Sequence, residues 1–144
     1  MTVAFLDANV FLDALLQRNE YDSCGMILKE ADRKQIIIYT TAANLQNVIY
    51  FLSKSRIALH DIRSTIDLLL KSVSIVHTTE KIFLSGLHSG FTDLEDAIQY
   101  YTALSVNDMD YFITSNIKDY KKALPQLPVI TPKQFIALQS KKPK

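Results

Sequence analysis

The residues that usually mark a catalytic motif are scarce in this chain of 144 residues. Only three glycines occur, and neither a P-loop nor a dinucleotide-binding G-x-G-x-x-G pattern is present. The three histidines, His60, His77 and His88, are scattered and form no H-E-x-x-H zinc motif. A G-x-S-x-G segment, which would hold a serine nucleophile, is also missing. These absences argue against nucleotide-dependent, zinc-protease and serine-hydrolase chemistry.

Cysteine and long apolar runs are also nearly absent. Cys24 is the only cysteine, so no internal disulfide is possible, which favours a reducing compartment. No segment is long and apolar enough to cross a bilayer. The opening residues, MTVAFLDANVFLDALL, lack the basic start of a signal peptide, and Asp7 and Asp13 interrupt their apolar run. We therefore expect a soluble protein of the cytoplasm with no membrane association.

The charge of the chain is nearly balanced, with 16 Lys and Arg against 15 Asp and Glu. Composition therefore neither supports nor excludes a nucleic-acid partner. Hydrophobic residues make up 48% of the chain, which is enough for one core at this length. No linker or repeat divides the sequence. We expect one domain over residues 1–139, followed by a short basic tail over residues 140–144.

Short β-rich segments alternate with helical patterns along the chain. Strands are predicted at Val3–Leu6, Gln35–Tyr39, Val73–His77, Tyr111–Thr114 and Val129–Ile130. Helices are predicted at Val10–Leu16, Tyr21–Lys34, Ala42–Ser53, Leu59–Leu70, Glu80–Leu87, Leu94–Val106 and after Pro132. Such alternation is typical of a parallel sheet with helices on both faces, and apolar strands such as IIIY fit a sheet buried on both sides. The pattern predicts a three-layer α/β/α sandwich.

Two helix starts carry recognisable capping signals. Thr92 with Glu95 three residues later is typical of a capping box. Thr131 followed by Pro132 predicts a cap with proline in the first turn. Both positions define where a predicted helix begins.

Most of the candidate site residues belong to one edge of the predicted sheet. Ligands of an open parallel sheet bind outside the carboxyl ends of its strands. Crossover helices run antiparallel to the strands, so their first turns lie at the same edge. The residues placed there are Asp7, Asn44, Asn47, Asp93, Glu95, Asp96, Asn116 and Asp119. We therefore expect distant segments of the chain to meet in one place.

An ordinary structural role is open to several of these acids, because aspartates after strands and in first turns often cap helices. Asp96, one turn after Asp93 on the same side, is harder to explain as a cap. Two carboxylates about 4 Å apart repel by roughly 4 kcal/mol at an effective dielectric constant of about 20. Three or more must therefore protonate, separate or share a cation.

Oxygen ligands with few histidines favour Mg²⁺ or Mn²⁺ over zinc. Such an ion can activate water and stabilise charge on an attacked phosphate. The acidic edge therefore predicts metal-assisted hydrolysis of a phosphodiester.

Three motifs resemble those of the PIN domain family, the ribonuclease toxins of toxin–antitoxin pairs. FLDANVFLD, over Phe5–Asp13, is similar to the family's opening motif. DLEDAIQYYTAL, over Asp93–Leu104, resembles its Asp-Ala helix, and FITSNIKDY, over Phe112–Tyr120, resembles its strand-end Thr-x-Asp/Asn segment. Order, spacing and length agree over nearly the whole chain. The resemblance implies a five-stranded, mainly parallel sheet of order 3-2-1-4-5.

The resemblance also implies roles for single residues. Asn47 stands where the family usually has a glutamate, and Asn116 where it usually has an aspartate, so we expect weak metal binding. The residues expected to act in catalysis are Asp7, Asp96 and Asp119. Those expected to hold Mg²⁺ or Mn²⁺ are Asp7, Asp96, Asp93 and Asn116. Supporting roles fall to Asn9, which would brace the first loop, Asn47 and Glu95.

Two classes of function are compatible with this pattern. The first is a metal-dependent endoribonuclease that acts on RNA and is held by a small antitoxin protein. The second is a PIN-like fold that has lost catalysis and binds RNA or another protein. Basic residues near the predicted site, Lys118, Lys121 and Lys122, would hold an RNA backbone or simply form a solvated helix face.

The resemblance further implies a homodimer. Apolar residues at Tyr50, Phe51, Ile57 and Leu59 would supply surface for it. In the alternative, the same residues fill the core of the monomer.

Overall fold

A parallel sheet forms the middle layer of the molecule. The computed structural model describes residues 1–142, and in it the five strands pair in the order β3-β2-β1-β4-β5, all parallel. The strands are β1 Val3–Leu6, β2 Ile37–Thr40, β3 Val73–Ile75, β4 Tyr111–Ile113 and β5 Val129–Ile130. The predicted sheet and its strand order are confirmed.

Helices cover both faces of this sheet. They are α1 Ala8–Leu15, α2 Tyr21–Asp32, α3 Ala42–Lys54, α4 Leu59–Ser72, α5 Glu80–Leu87, α6 Leu94–Leu104 and α7 Pro132–Ser140. A 3₁₀ turn over Ile117–Tyr120, which the sequence pattern did not predict, follows β4. The strand β3 ends at Ile75 rather than at His77, because its neighbour β2 ends at Thr40 and Thr41 already caps α3.

Two apolar clusters, one on each face of the sheet, make the three layers. Successive side chains of a strand point to opposite faces, so Leu6 packs into one cluster with Phe11 and Ile38. Phe5 packs into the other, where its ring stacks on Phe112 with the ring centroids 5.0 Å apart. Every residue of β1 is buried. The buried central strand therefore fixes the position of Asp7, the residue that follows it.

The helix α5 packs closely on α6, the helix that carries the motif DLEDAIQYYTAL. A Cβ atom at Gly86 would lie 2.8 Å from the Cα of Ile98, a distance at which the two helices could not stay together. Glycine at this position lets α5 lie directly on α6. The position of α6 against α5 is therefore set partly by a residue outside the site.

The observed N-caps of α6 and α7 test the helix starts that were predicted from the sequence. At α7 the prediction is confirmed, since the Thr131 hydroxyl accepts from the Gln134 amide at 3.1 Å and the Gln134 side chain accepts from the Thr131 amide at 2.9 Å. At α6 the predicted capping box of Thr92 and Glu95 is wrong. Asp93 is the cap, and its Oδ1 accepts from the Asp96 amide at 3.0 Å. A cap side chain reaches the amide three residues on, which makes Asp93 the partner of Asp96.

Apolar side chains on α3, on α4 and between them face solvent. Tyr50 is 51% exposed, Phe51 43%, Ile57 38% and Leu59 62%. The alternative in which these residues fill the monomer core is therefore wrong. The chain carries an apolar surface, here called the α3–α4 surface, that its own core does not cover.

The last helix extends one residue into the predicted tail. Ser140, predicted as the first residue of the tail, is the last residue of α7, and the Lys142 ammonium donates to the Thr2 hydroxyl. The last two residues of the predicted tail, Pro143 and Lys144, lie outside the described residues. Over residues 1–142, every helix is too short or too polar to cross a bilayer.

Candidate metal centre at the carboxyl edge of the sheet

Asp7 follows β1 directly and is bound on both sides of its carboxylate. Its Oδ1 accepts from the Val10 amide at 3.2 Å, which caps α1, and its Oδ2 accepts from the Thr114 hydroxyl at the end of β4. Only 6% of the residue is exposed. The pKa of Asp7 is raised to about 6, mainly by burial and in smaller part by the negative charge of Asp96, whereas these hydrogen bonds lower it. Asp7 thus caps α1, as an aspartate after a strand often does, and its pKa responds to the charge of Asp96.

Asp96 is half-buried in the first turn of α6. Its Oδ1 accepts from the Tyr120 hydroxyl at 3.2 Å. The pKa of Asp96 is raised to about 6, mainly by burial and then by the negative charges of Asp93, Asp119 and Glu95. Three of the acids predicted to converge with Asp7 therefore act on Asp96 through space.

Asn116 and Asp119 are exposed at the 3₁₀ turn after β4. The Asn116 side-chain amide donates to the Asp119 carboxylate, and the Asn116 backbone amide donates to the Thr114 hydroxyl at 3.1 Å. Thr114 donates in turn to Asp7. One hydroxyl thus joins the buried carboxylate to the exposed turn that carries Asp119.

Thr114 and Tyr120 belong to the site, although the sequence pattern did not single them out. Tyr120 is 4% exposed, and its ring packs on Phe112 with the centroids 4.8 Å apart. Burial, together with the charges of Asp7 and Asp96, raises the pKa of Tyr120 above its ordinary value, so the hydroxyl stays a proton donor. Both residues lie within the motif FITSNIKDY, which was the available signal.

Two other candidate acids and two candidate amides are exposed, in contrast to the buried Asp7. Asp93 is exposed, and its Oδ1 caps α6. Glu95 and Asn47 are exposed as well, and they line one cleft of about 320 Å³ between α3 and α6. Asn9 is exposed in the first turn of α1. The supporting roles of Asn9, Asn47 and Glu95 stay predictions.

Asn44 lies at the predicted edge, but beneath its surface. It is fully buried, and its side-chain amide donates to the Leu6 carbonyl at 3.3 Å and to the Thr40 hydroxyl at 3.1 Å. The Thr40 hydroxyl donates to the same carbonyl at 2.8 Å. The start of α3 is thereby tied to the residue before Asp7. Within residues 1–142 the Asn44 Oδ1 has no hydrogen-bond partner.

The donor set of the site suits a hard divalent cation. Among the described residues, no three His, Cys, Asp or Glu side chains stand close enough to hold a metal ion by themselves. Magnesium, however, is usually bound through one or two carboxylates, and water and substrate phosphate complete its coordination. Asp7 and Asp96, two carboxylates whose pKa values are raised partly by neighbouring negative charge, match that requirement.

Comparison with known proteins agrees with this arrangement of sheet and motifs. The family model of the PIN domain matches residues 3–118, a span that begins at β1 and ends within the 3₁₀ turn. The chain therefore belongs to the PIN domain family. No curated protein matches the sequence.

Solved structures share the fold. One is a chain of VapBC2 from Rickettsia felis, crystallised with a DNA fragment from its promoter, with a TM-score of 0.66 and 22% identity over 90% of this chain and 98% of that chain. Another is a chain of a toxin–antitoxin complex from Klebsiella pneumoniae, with a TM-score of 0.62 and 23% identity over 90% of this chain and 97% of that chain. At such identities the likeness establishes the fold.

The electrostatics of Asp96 predict a pH-dependent stability. Its pKa of about 6 lies above the value of about 3.9 for an unfolded aspartate, so the native state binds extra protons. The stability contributed by this proton uptake is complete below about pH 4 and is lost as the pH rises through about 6. In EDTA, we expect Asp96→Asn to unfold with a free energy higher by ~1 kcal/mol at pH 7 and by nearly nothing at pH 4, after allowing for solvent screening.

Urea unfolding at both pH values measures this difference, with Asp67→Asn on the exposed face of α4 as the control. If Asp96→Asn were the less stable protein at pH 7, Asp96 would be a residue that stabilises the helix N-terminus instead.

Proposed function

We propose that the protein is a metal-dependent endoribonuclease that hydrolyses RNA phosphodiester bonds. The observation that carries this proposal is the placement of Asp7, directly after β1, and Asp96, in the first turn of α6, at the carboxyl edge of the sheet, where Thr114 and Tyr120 donate to them. The raised pKa values of both carboxylates support it. These two carboxylates would hold Mg²⁺ or Mn²⁺, with Asp93 and Asn116 beside them. When bound, such an ion activates water and offsets the charge that develops on an attacked phosphate.

The chain's own residues have separate tasks in this proposal. The Val10 amide and the Thr114 hydroxyl fix Asp7, and the Tyr120 hydroxyl orients Asp96. Asp119 stands exposed at the rim, next to the Asn116 amide that donates to it. It would orient the attacking water and accept its proton, the role of a general base. Asn9, Asn47 and Glu95 would support the loops around this centre.

Single-stranded or looped RNA is the proposed substrate. A single strand exposes its phosphates to attack, whereas an A-form duplex has a deep, narrow major groove. Three lysines are exposed, Lys118 in the 3₁₀ turn and Lys121 and Lys122 directly after it, where their charges would attract the backbone. Because these lysines are close to Asp119 in the chain, they support a path in which the RNA strand crosses the acidic centre.

Cleavage of single-stranded RNA by the purified protein tests the proposal. We expect cleavage with Mg²⁺ or Mn²⁺ and none in EDTA. Asp7→Asn and Asp96→Asn should each lower the rate by at least about 100-fold, because even residues that only orient metal ligands are worth about 10- to 100-fold. Asp67→Asn should cleave like the wild type. Activity that persists in EDTA, or in the two site variants together, would rule the proposal out.

A second candidate is a PIN domain that binds RNA or protein without cleaving. It is favoured by the amides at Asn47 and Asn116, since each replaces a carboxylate of the family's usual site and removes charge from the centre. RNA binding without cleavage at any metal concentration would support this candidate.

The fold likeness to chains of VapBC2 and of a toxin–antitoxin complex supports the further proposal that the protein is a toxin held by a small antitoxin. The α3–α4 surface suits contact with another chain, because exposed apolar patches of this kind mark interaction sites. We assign it to a homodimer.

The mass of the protein in solution tests this dimer. Light scattering at high micromolar concentration should give twice the mass of the chain for the wild type and for Leu138→Glu, which adds charge at an exposed position of α7, a helix that is not part of the α3–α4 surface. Leu59→Glu should shift the mass toward the monomer, because it buries a charge in the contact. A monomeric wild type at that concentration would contradict the proposal.

A further inference from the structure

A buried ion pair beside the acidic centre has no part in the function proposed above. Asp13, on α1, is 1% exposed. Its Oδ1 lies 3.2 Å from the Arg18 Nε, and its Oδ2 accepts from the Ser115 hydroxyl at 3.0 Å. A buried carboxylate of this kind needs such partners to offset its desolvation. Asp13 therefore anchors an arginine and a serine at the mouth of a cleft.

The turn after α1 holds the arginine in this position. Gln17 follows the C-cap Leu16 in the left-handed region with φ 53°, and the Arg18 amide donates to the Asp13 carbonyl at 3.0 Å. This is the hydrogen bond of a Schellman motif, in which glycine usually occupies the place of Gln17. Asn19 is also left-handed, with φ 41°. Two residues in a disfavoured conformation thus turn Arg18 back over the end of α1.

Most donors of Arg18 remain free after the contact with Asp13. A guanidinium carries five N–H donors. The Nε–H is used on Asp13, and within residues 1–142 the terminal nitrogens make no hydrogen bond. The Arg18 side chain is 41% exposed. It lines a cleft of about 530 Å³ together with Asn9, Asp13, Asn19, Ser115 and Asn116. The fork of a guanidinium matches the oxygens of a phosphate.

This cleft adjoins the acidic centre through three residues. Asn116 lines it and donates to Asp119. Ser115, which binds Asp13, follows Thr114, which binds Asp7. Asn9 lines the cleft two residues after Asp7. A strand whose phosphate is held at the acidic centre would therefore extend past Arg18.

We propose that this cleft binds a backbone phosphate of the RNA strand, next to the phosphate that the acidic centre attacks. Arg18 is the main contact, and the side-chain amides of Asn9 and Asn19 are the secondary ones. The identity of the strand rests on the proposed function. Asp13 and Ser115 also line the cleft, and we assign them as positioning residues, since Asp13 holds Arg18 and Ser115 holds Asp13.

Binding of a fluorescein-labelled single-stranded RNA, followed by anisotropy in EDTA, tests the subsite without cleavage. Arg18→Gln should weaken binding by about 10-fold, because a hydrogen bond to a charged group is lost. The slope of log K against log salt should fall by about 0.7, the value for one phosphate contact on a single strand. Arg33→Gln, which removes an exposed arginine after α2, should change neither. Equal affinities of Arg18→Gln and the wild type would overturn the proposal.

Loss of Arg18 leaves Asp13 buried with one partner fewer, so the fold needs its own control. The double variant Asp13→Asn with Arg18→Gln removes both charges and should stay folded by circular dichroism. It should bind RNA as weakly as Arg18→Gln. Wild-type affinity in the folded double variant would overturn the subsite.

A cleavage assay with Mg²⁺ separates this proposal from the nuclease proposal. If the wild type binds RNA through Arg18 but does not cleave it, the subsite stands and the nuclease fails. If the wild type cleaves, Arg18→Gln should raise KM by about 10-fold while kcat stays within about 3-fold, because a contact to a neighbouring phosphate is made before and during the reaction. Cleavage with an unchanged Kd and KM in Arg18→Gln would leave the nuclease standing and overturn the subsite.

Discussion

The two hydrogen bonds of the Asp7 carboxylate hold the site together. One oxygen accepts from the Val10 amide, where α1 begins, and the other from the Thr114 hydroxyl, where β4 ends. One carboxylate thus joins three elements at the point where the central strand leaves the sheet. Just before it, the Leu6 carbonyl accepts from Thr40 and Asn44 and draws in the start of α3. The site depends on this junction, because every other acid reaches it from a neighbouring element.

The same junction concentrates charge that the fold alone does not need. Burial and neighbouring acids raise the pKa values of Asp7 and Asp96 to about 6. Near neutral pH both groups are therefore ionised, although burial and the neighbouring negative charge disfavour the charged form. Groups whose pKa is shifted in this way by burial and by like charge are typical of functional sites. A cation held here, as proposed, would relieve the repulsion and would link the stability of the fold to metal binding. Arg18, held by the buried Asp13, supplies positive charge next to this centre.

Most of the fold could be predicted from local patterns. Continuous apolar strands indicated a parallel sheet, and Val3–Leu6 and Val129–Ile130 were predicted with their observed bounds. The cap of α6 was placed one residue early, at Thr92, because two neighbouring residues can both cap a helix and only the backbone decides between them. The roles of Tyr120 and of the Asp13–Arg18 pair were not recognised. The hydrogen-bond partner of Tyr120 is Asp96 and that of Asp13 is Ser115, and both are distant in the sequence. In the sequence, Asp13 only interrupts an apolar run, and its role depends on Ser115 across the sheet edge.

Paramagnetic Mn²⁺ tests directly whether Asp7 and Asp96 hold a divalent cation. Substoichiometric Mn²⁺ added to ¹⁵N-labelled protein should broaden the amide signals of Asp7, Asp96 and Thr114 and leave those at the opposite edge sharp. That opposite edge has its own cleft with acids at Glu30 and Asp110, which serves as an internal comparison. In Asp96→Asn the selective broadening should disappear. Broadening centred on Glu30 and Asp110, or broadening at Asp7 that survives Asp96→Asn, would contradict the account.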